Sequence, residues 1–387
     1  MRRFASILPI ALLLVSGFPH AIAADKHIVP ALPGPEIPVA LLVDQSSGQI
    51  LYAREADRRF VPASITKVMT LYTAFELIKA GKLTANQHFT VSETAFREWS
   101  RKGSTMFLAN GAQVSVDELL KGISTVSAND GCIVLAEGAL GSVEKWVALM
   151  NANARSLGMR DSHFGTPNGW MDDGYTYVSA RDLVRLADAL LERHPELFHR
   201  YVGHKSMLFN GIAQNNHDPM VGVVDGADGI KTGYTRQAGY GYLGTASRNG
   251  RRLLMVVAGA DSPANRARAS RDLMEWGFSA FDSRRLLAKG DSIGQAKVQG
   301  GADRSVGLIA SRPVFATAPH GSLGEVKLAI HYRGPIHAPI AKGQEIASLE
   351  VHIPGQRPYF VPLAAAHEVP GANAWQRLLN GLLGFLT

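Results

Sequence analysis

Over the first 280 residues, the pattern of apolar and polar positions predicts strands at both ends and helices between them. Apolar runs over 39–43 and 49–53 flank the turn-forming segment "DQSSG", which is typical of a β-hairpin. Apolar side chains then recur at helical spacing over about 65–80, where Gly81 ends the pattern. The same spacing predicts further helices over 130–139, 142–157 and 263–280.

Two serines mark the starts of other helices. In "SVDELLKGI", Ser115 is followed three residues later by Glu118, which is the spacing of a capping box. In "SARDLVRLADALLER", Ser179 precedes apolar side chains that recur every three or four residues. Both segments are therefore predicted to be helices with one buried face.

The fold class follows from where the predicted strands lie. The segment "GIKTGYTRQAGYGYLGTASRNGRRLLMVVAG" predicts strands around Asn249-Gly250, a pair that strongly favours a hairpin turn. Strands at both ends of a region with helices between them predict one sheet with helices packed on both faces. We expect this α/β (α+β) domain to cover 25–284.

Beyond residue 285 the pattern changes to short apolar segments separated by Gly, Pro and Ser. Examples are "SVGLIA", "PVFATAP", "VKLAIHY" and "EIASLEVHI". We expect a small all-β domain over 285–366, either a sandwich or a barrel. Its His331, His337 and His352 are too scattered to propose a metal site.

Both ends of the chain carry apolar segments that do not fit a domain core. The first 24 residues begin with Arg2 and Arg3, continue with an apolar stretch and end in small residues, which predicts a cleaved secretory signal peptide. Over 367–387, Trp375 and four leucines share one face of a predicted amphipathic helix that is too short to span a bilayer. We expect this helix to lie on the periplasmic side of the cytoplasmic membrane as a peripheral anchor; the alternative is docking on its own domain or on a partner.

Composition and charge narrow the class of protein. The 387 residues are 46% hydrophobic and 19% charged, which is typical of a folded chain with room for two domains. The lone Cys132 excludes an intramolecular disulfide, and a single free cysteine is most often buried. The net charge of +7 is modest, and an exported chain without a basic stripe is not expected to bind nucleic acid.

The segment "PASITKVMT" places a hydroxyl and an amine together at a predicted helix start. Ser64 and Lys67 are three residues apart, so their side chains share one helix face. A serine can become a nucleophile when a neutral amine beside it accepts its proton, and burial would lower the pKa of such a lysine. The alternative is a helix-capping serine beside a solvated lysine.

Two further segments carry polar groups at short spacing. In "STVSANDG", Ser127 could relay a proton and Asn129 could hold a substrate carbonyl, although either could instead cap the next helix. In "DGIKTGYT", Lys231 and Thr232 could bind a carboxylate, and Gly233 would allow close approach to the strand. The alternative for this segment is an ordinary edge strand with a solvated lysine.

The three motifs together, in the order S-x-x-K, S-x-N and K-T-G, form the signature of the penicillin-recognising serine enzymes. The chain resembles the low-molecular-weight penicillin-binding proteins, specifically the D-alanyl-D-alanine carboxypeptidases. The resemblance extends through most of the mature chain, including the segments "ALLVDQSSGQILYAREADRRFVPASITKVMT", "SANDGCIVLAEG", "FGTPNGW" and "YVSARDL".

The resemblance implies a covalent mechanism without metal or cofactor. Ser64 would attack the carbonyl between two D-alanines of a peptidoglycan stem peptide, and Lys67 would be the general base. Ser127 would pass a proton to the departing D-alanine. The backbone N–H groups of Ser64 and Tyr234 would form the oxyanion hole, and water would hydrolyse the acyl-enzyme.

The resemblance also implies the binding residues and ligands. Asn129 would bind the peptide chain of the substrate, and Lys231, Thr232 and Gly233 would form the carboxylate site. β-Lactam antibiotics would acylate Ser64 because they mimic the D-alanyl-D-alanine amide. The sequence leaves self-association into a homo-oligomer open.

Two positions depart from the family pattern. Many members have histidine after K-T-G, where this chain has Tyr234. Many also carry an arginine upstream of K-T-G, at the position where "QNNHDPM" places His217. If that arginine assists carboxylate binding in the family, the assistance has to come from elsewhere in this chain.

Three other functions share part of this evidence. A class A β-lactamase needs a glutamate between the second and third motifs that activates water, and the candidates are Glu137, Glu144, Glu192 and Glu196. A D,D-endopeptidase that cleaves cross-links shares all three motifs, but such relatives usually lack a second domain. A cell-wall-binding protein with an inactive site would not be expected to keep all three motifs.

Overall fold

The computed structural model describes residues 32–373 and 375–376. The predicted signal peptide lies outside the described residues, and so does most of the predicted C-terminal helix. No helix among the described residues is long and apolar enough to cross a membrane.

The first 280 residues contain both strands and helices, as the apolar pattern predicts. In chain order the strands are β1 (Val39–Asp44), β2 (Gln49–Arg54), β3 (His88–Thr90), β4 (Gln113–Ser115), β5 (Ser206–Phe209), β6 (Ile212–Asn215), β7 (Ala227–Thr235), β8 (Gly239–Arg248) and β9 (Arg251–Ala260). The helices are α1 (Lys67–Lys79), α2 (Glu93–Trp99), α3 (Val116–Thr125), α4 (Asn129–Leu140), α5 (Val143–Ser156), α6 (Ala180–Arg193), α7 (Pro195–Tyr201) and α8 (Pro263–Ser279).

The central sheet of the described residues has the antiparallel order β2-β1-β9-β8-β7. Alternate side chains of its strands face opposite sides. Val39 and Leu41 of β1 pack into the core formed with α1, α3, α4 and α6, whereas Ala40 and Leu42 pack with residues of α8. The predicted sheet with helices on both faces is therefore confirmed.

Local capping and turn signals are also confirmed. The Ser115 hydroxyl accepts from the Glu118 backbone N–H, and the Glu118 carboxylate accepts in return from the Ser115 N–H. Ser179 caps α6 through the N–H of Asp182. The β8–β9 turn has Asn249 and Gly250 at positive φ, as a tight hairpin requires.

The predicted helix over 65–80 is divided in the structure. A 3-10 helix covers Ala63–Thr66, and α1 begins only at Lys67. A 3-10 helix has about three residues per turn, so side chains three apart eclipse each other. This brings Ser64 directly beside Lys67 and places the serine one turn before the α-helix.

The rest of the described chain is all-β, as predicted. Its strands are β10 (Phe281–Leu287), β11 (Ser292–Gln299), β12 (Ser305–Ala310), β13 (Val314–Pro319), β14 (Lys327–His331), β15 (Ile336–His337), β16 (Glu345–His352) and β17 (Tyr359–Ala365). One sheet has the order β14-β16-β17-β12-β11-β15, and β10 pairs with β13. Pairing in this region thus starts at Phe281 and extends to an isolated bridge at Gly371.

A buried ion pair of the central sheet is hydrogen-bonded to the β-rich region. The Asp44 carboxylate of β1 accepts from Arg251 Nε at 2.8 Å and from the Thr317 hydroxyl of β13 at 2.9 Å. Gln49 and Gln356 make a second link at 2.8 Å. The β-rich region is therefore attached through specific polar contacts to the end of the central sheet where β1 ends and β2 and β9 begin.

Candidate active site

The three sequence motifs converge on one cleft of about 760 Å³. Ser64 comes from the 3-10 helix, Ser127 and Asn129 from the start of α4, and Thr232 to Tyr234 from the edge strand β7. The other lining residues are Gly103, Ser104, Asn168, Gly169, Trp170, Met171, His217, Thr235, Arg236, Tyr240, Pro263 and Arg266. The two motif lysines do not line the cleft and are buried behind it.

Backbone packing holds Ser64 at the floor of the cleft. The preceding Ala63 has a φ of +48°, a left-handed conformation that costs an alanine about 1–2 kcal/mol. Gly169 lies against the Ala63 carbonyl, so closely that an added Cβ would overlap this oxygen. On the other side, a Cβ on Gly233 would lie 2.5 Å from the Pro62 carbonyl oxygen. Two glycines distant in sequence thus allow the turn that carries Ser64 to lie between β7 and the loop at 169.

Lys67 is fully buried, and three acceptors surround its Nζ atom. This nitrogen lies 2.8 Å from Ser64 Oγ, 2.8 Å from Asn129 Oδ1 and 2.6 Å from the Asn168 carbonyl oxygen. The Asn129 amide is oriented because its Nδ2 donates to the Lys102 carbonyl at 2.8 Å. The oxygens of Asn129 and Asn168 that face Lys67 can therefore only accept hydrogen bonds.

This geometry directs the lone pair of a neutral Lys67. A neutral amine has two N–H groups, and the two carbonyl oxygens of Asn129 and Asn168 take both. The remaining sp³ position, the lone pair, then points at Ser64 Oγ. The serine hydroxyl can donate its proton along this contact, which is the arrangement that a general base requires.

Burial also favours the neutral form of this lysine. Desolvation lowers the pKa of Lys67 to about 8, against weaker opposing effects of Cys132 and Asp130. The Asp130 carboxylate accepts instead from the backbone N–H groups of Met106, Leu108 and Gly131. Within the described part of the chain, no salt bridge holds Lys67 in its charged form. The interpretation of Lys67 as a solvated lysine is therefore wrong.

The second motif places a free hydroxyl in the cleft. Ser127 has a φ of +64°, and its buried Oγ has no hydrogen-bond partner among the described residues. Neither Ser127 nor Asn129 caps α4, because the cap position is Ala128 without a side-chain bond. Capping therefore does not account for either polar side chain.

The third motif lies on the edge strand β7, as expected, but its lysine is not solvated. Lys231 is buried, and its Nζ donates to the Thr232 carbonyl at 3.1 Å. Desolvation, together with repulsion from Lys67, lowers the pKa of Lys231 to about 7. The hydroxyl-bearing Thr232 faces the cleft in front of it. Two lysines with depressed pKa values thus sit behind one cavity, a combination that is concentrated at active sites.

A buried arginine at the same end of the cleft was not predicted from the sequence. Arg266 of α8 lines the cleft beside His217 and Tyr240, and its Nε has no hydrogen-bond partner among the described residues. Its Nη2 donates to the His217 carbonyl at 3.4 Å. A positive charge near the start of a helix is unfavourable because it opposes the helix dipole. An arginine at this position of α8 was therefore the sequence signal that could have pointed to Arg266. This guanidinium places a positive charge at the end of the cleft that His217 also lines.

The side chain of Tyr234 stacks on another ring of the cleft. Its ring centroid lies 4.1 Å from that of Tyr240, and the planes are 20° apart. Arg266 lies 5.9 Å from the Tyr240 centroid. Tyr234 and Tyr240 therefore form an aromatic wall of the cleft beside Arg266.

The lining of the cleft bears on the alternatives. No carboxylate is among its lining residues, so none of the four candidate glutamates faces the described cleft. Glu137, for example, accepts from the hydroxyl of Ser92 at 2.8 Å. No group of three or more His, Cys, Asp or Glu side chains in the described ranges could hold a metal ion.

Comparisons with known proteins identify the family of the chain. The family model of the D-alanyl-D-alanine carboxypeptidases, peptidase S11, matches residues 35–262, and a model of the C-terminal domain of penicillin-binding protein 5 matches 281–371. The D-alanyl-D-alanine carboxypeptidase DacA of Escherichia coli K12 is 32% identical over 95% of this chain and 93% of its own. DacF of Bacillus subtilis is 30% identical over 96% of both chains.

Solved structures show the same architecture. Penicillin-binding protein 5 of Haemophilus influenzae superposes with a TM-score of 0.74 at 34% identity, covering 88% of this chain and 99% of its own. The resemblance and the two-region fold expected from the sequence are thereby confirmed, and the β-lactamase and endopeptidase alternatives are not favoured. The chain belongs to the D-alanyl-D-alanine carboxypeptidase family, peptidase S11.

Proposed function

We propose that this protein removes the terminal D-alanine from peptidoglycan stem pentapeptides through an acyl-enzyme on Ser64. The observation that carries the proposal is the Lys67 Nζ atom, held 2.8 Å from Ser64 Oγ by two carbonyl acceptors. Attack forms a bond between Oγ and the carbonyl carbon of the substrate, and the Oγ proton passes to Nζ.

The tetrahedral intermediate then collapses towards the amine. Backbone N–H groups of Ser64 and Tyr234 stabilise its oxyanion, a contribution of about 2.7–4 kcal/mol per donor in other enzymes. As the C–N bond breaks, Ser127 gives its hydroxyl proton to the amine of the departing D-alanine and takes in its place the proton that Lys67 received from Ser64, which returns Lys67 to its neutral form. The unpartnered hydroxyl of Ser127 in the cleft supports this role. Water then attacks the ester, which releases the shortened peptide and restores Ser64.

In this proposal, residues on both walls of the cleft orient the substrate. Asn129 hydrogen-bonds the peptide chain, and Thr232 and Gly233 border the site of the terminal carboxylate. Lys231 acts on that carboxylate from behind, while Arg266 can form a bidentate pair with it from α8. A free carboxylate placed there favours cleavage at a chain end over cleavage within a cross-link.

The same nucleophile accounts for β-lactam binding. A β-lactam offers a strained amide next to a carboxylate, so it places its carbonyl at Ser64 and its carboxylate near Thr232. Acylation opens the ring and leaves the antibiotic esterified to Ser64. The relatives named penicillin-binding proteins support this expectation.

Location and domain roles extend the proposal. We propose cleavage of residues 1–24, a catalytic domain over 25–284, a β-rich domain over 285–366 that spaces the site from the membrane, and a peripheral anchor over 367–387. Asn373 and Gln376 support a helix start near the anchor, since each backbone N–H donates to the other's side chain at 2.9 Å. Trp375 is exposed there.

One assay tests the reaction. Purified mature protein is incubated with a stem pentapeptide, free D-alanine is measured, and Ser64→Ala serves as the control. Release by the native protein alone is expected. If the native protein releases no D-alanine but cleaves a cross-linked dimer, the carboxypeptidase assignment is wrong.

A second assay tests the anchor. Deletion of residues 371–387 is expected to move the protein from the membrane pellet to the supernatant. If the truncated protein still sediments with membranes, the proposed anchor is wrong.

A further inference from the structure

Behind one wall of the cleft, a lysine is held between two tryptophans. The Lys102 Nζ atom lies 4.4 Å from the ring centroid of Trp99 and 5.2 Å from that of Trp170. The two indoles meet edge to face, with centroids 6.0 Å apart. No carboxylate within the described ranges forms a salt bridge with Lys102, so its ammonium is held by cation–π attraction. We call these three residues the aromatic clamp.

The clamp contacts both residues that hold Lys67. The Lys102 backbone carbonyl accepts from Asn129 Nδ2 at 2.8 Å, and the Trp170 backbone N–H donates to Asn168 Oδ1 at 3.0 Å. The two acceptors of the Lys67 amine are Asn129 Oδ1 and the Asn168 backbone carbonyl. The clamp therefore holds the Asn129 amide directly, and it holds the loop that carries the Asn168 carbonyl through the Asn168 side chain.

The segment that follows Lys102 strengthens this connection. Gly103 has a φ of +71°, and a Cβ there would lie 2.8 Å from both Asn129 Nδ2 and the Trp170 ring. The Ser104 carbonyl accepts from the Asn129 backbone N–H at 2.8 Å. The chain from 102 to 104 is thus packed directly between Asn129 and Trp170.

We propose that Lys102 is a positioning residue, which fixes Asn129 and Asn168 so that the lone pair of Lys67 stays aimed at Ser64. Lys102 itself does not line the cleft, so it acts through these two asparagines. Without the clamp, the Asn129 amide gains freedom to rotate, and the amine loses its fixed direction. This inference rests on the proposed function, because it assigns a role in the acylation step.

The test compares acylation by a fluorescent penicillin in four proteins: native, Lys102→Met, Lys102→Arg and Arg101→Met. Methionine keeps the length of the side chain but removes its charge, whereas arginine keeps the cation–π contact. The exposed neighbour Arg101 serves as the matched control. We expect Lys102→Met to acylate about tenfold more slowly, a loss of the size expected for two cation–π contacts. The acylation rate of Lys102→Arg should stay within about threefold of the native rate, and the rate of Arg101→Met should equal the native rate.

Turnover of a stem pentapeptide adds a second readout. Lys102→Met should lower kcat about tenfold and raise KM by no more than about threefold, because the Lys67 amine loses its direction while Asn129 is one of several groups that bind the substrate. Melting temperatures establish that the variants are folded. If Lys102→Met does not fold, the same rates are measured on Trp99→Leu, which removes the other side of the clamp outside the cleft.

The outcomes separate the two proposals. Native-like acylation of Lys102→Met, or equal slowing of Lys102→Arg and Lys102→Met, overturns the positioning role. No labelling of the native protein, with the same background as Ser64→Ala, overturns the proposed function itself.

Discussion

In the proposed mechanism, the reactivity of Ser64 depends on a single proton, the one that Lys67 carries or releases. The lysine is excluded from water, and its neighbours accept hydrogen bonds without providing a counter-charge. Burial therefore shifts it towards the neutral form, and the two asparagine carbonyls orient the neutral amine. Burial and hydrogen bonding therefore both act on the Lys67 amine nitrogen.

Replacing this base with a permanent cation tests that dependence. Lys67→Arg keeps a positive charge but offers no lone pair at neutral pH, so acylation by a labelled penicillin should fall by about 10²–10⁴. The rate is measured against native protein at one pH. Acylation within tenfold of native would contradict a proton-accepting role for Lys67.

Arg266 and the exposed Arg268 on the same helix provide a matched pair of substitutions. Arg266→Gln should raise KM for a stem pentapeptide about 10- to 100-fold, because it removes a buried charge-assisted contact with the carboxylate. The expected change in kcat is under threefold. Arg268 pairs with Glu36 at the surface, and Arg268→Gln should leave both constants unchanged. Equal effects of the two substitutions would argue against carboxylate binding by Arg266.

The pH profile reports both motif lysines. The acylation step needs Lys67 neutral, so it should accelerate as pH rises towards about 8. Carboxylate binding is favoured by charged Lys231, and this contribution should fade as pH rises above about 7. We expect a bell-shaped profile of kcat/KM for the pentapeptide, with its maximum between these values. A profile that keeps rising to pH 10 would contradict both assignments.

Among the elements, the 3-10 helix at Ala63–Thr66 and the loop at 166–170 form one unit. Thr70 of α1 donates to the Pro167 carbonyl at 2.6 Å, and Lys67 binds the next carbonyl, that of Asn168. Gly169 then packs against Ala63. The loop thus packs against the turn that carries Ser64 and binds the Lys67 amine.

Gly169→Ala should disrupt this unit. The substitution adds a Cβ that overlaps the Ala63 carbonyl, at a residue whose φ is +73°. We expect the free energy of unfolding to fall by more than about 2 kcal/mol, and acylation of Ser64 to be lost as well. Gly174→Ala is the control, since its φ of +88° is similar but its Cβ would meet open space. Calorimetry and penicillin labelling measure both effects. Equal, small losses in the two variants would show that the contact with Ala63 is unimportant.

Local sequence signals predicted most elements but not this unit. The capping box of α3, the serine cap of α6, the Asn249-Gly250 turn and the apolar periodicity depend on neighbouring residues, and the structure confirms them. The break before Lys67 depends instead on Gly169 and Gly233, which are more than 100 residues away. Arg266 and the aromatic clamp were missed because they also depend on contacts between distant segments. Only the folded chain brings Arg266 into the cleft and Trp170 against Lys102.

At the scale of the whole molecule, the buried pair of Asp44 and Arg251 connects the central sheet to the β-rich region through Thr317. Arg251 lies in β9 of the central sheet, and Thr317 of β13 donates to the same carboxylate. A buried charge that loses its partner is costly. This network is therefore expected to keep the two regions in one orientation.

Asp44→Ala tests the link. It leaves the Arg251 guanidinium buried without its partner, so we expect a loss of about 3–5 kcal/mol in unfolding free energy. Proteolysis near residue 280 should also become faster. Asp225→Ala removes a carboxylate that is 91% exposed and should change stability by less than about 0.5 kcal/mol. Native-like melting of Asp44→Ala would contradict the coupling.

The central claim, that burial keeps Lys67 ready to act as a neutral base, is tested most directly by its pKa in the resting enzyme. NMR of lysines labelled at Cε follows the titration, and the signal absent from Lys67→Arg identifies this residue. The structure predicts a pKa of about 8. A value near the ordinary lysine pKa of about 10.4 would contradict the account.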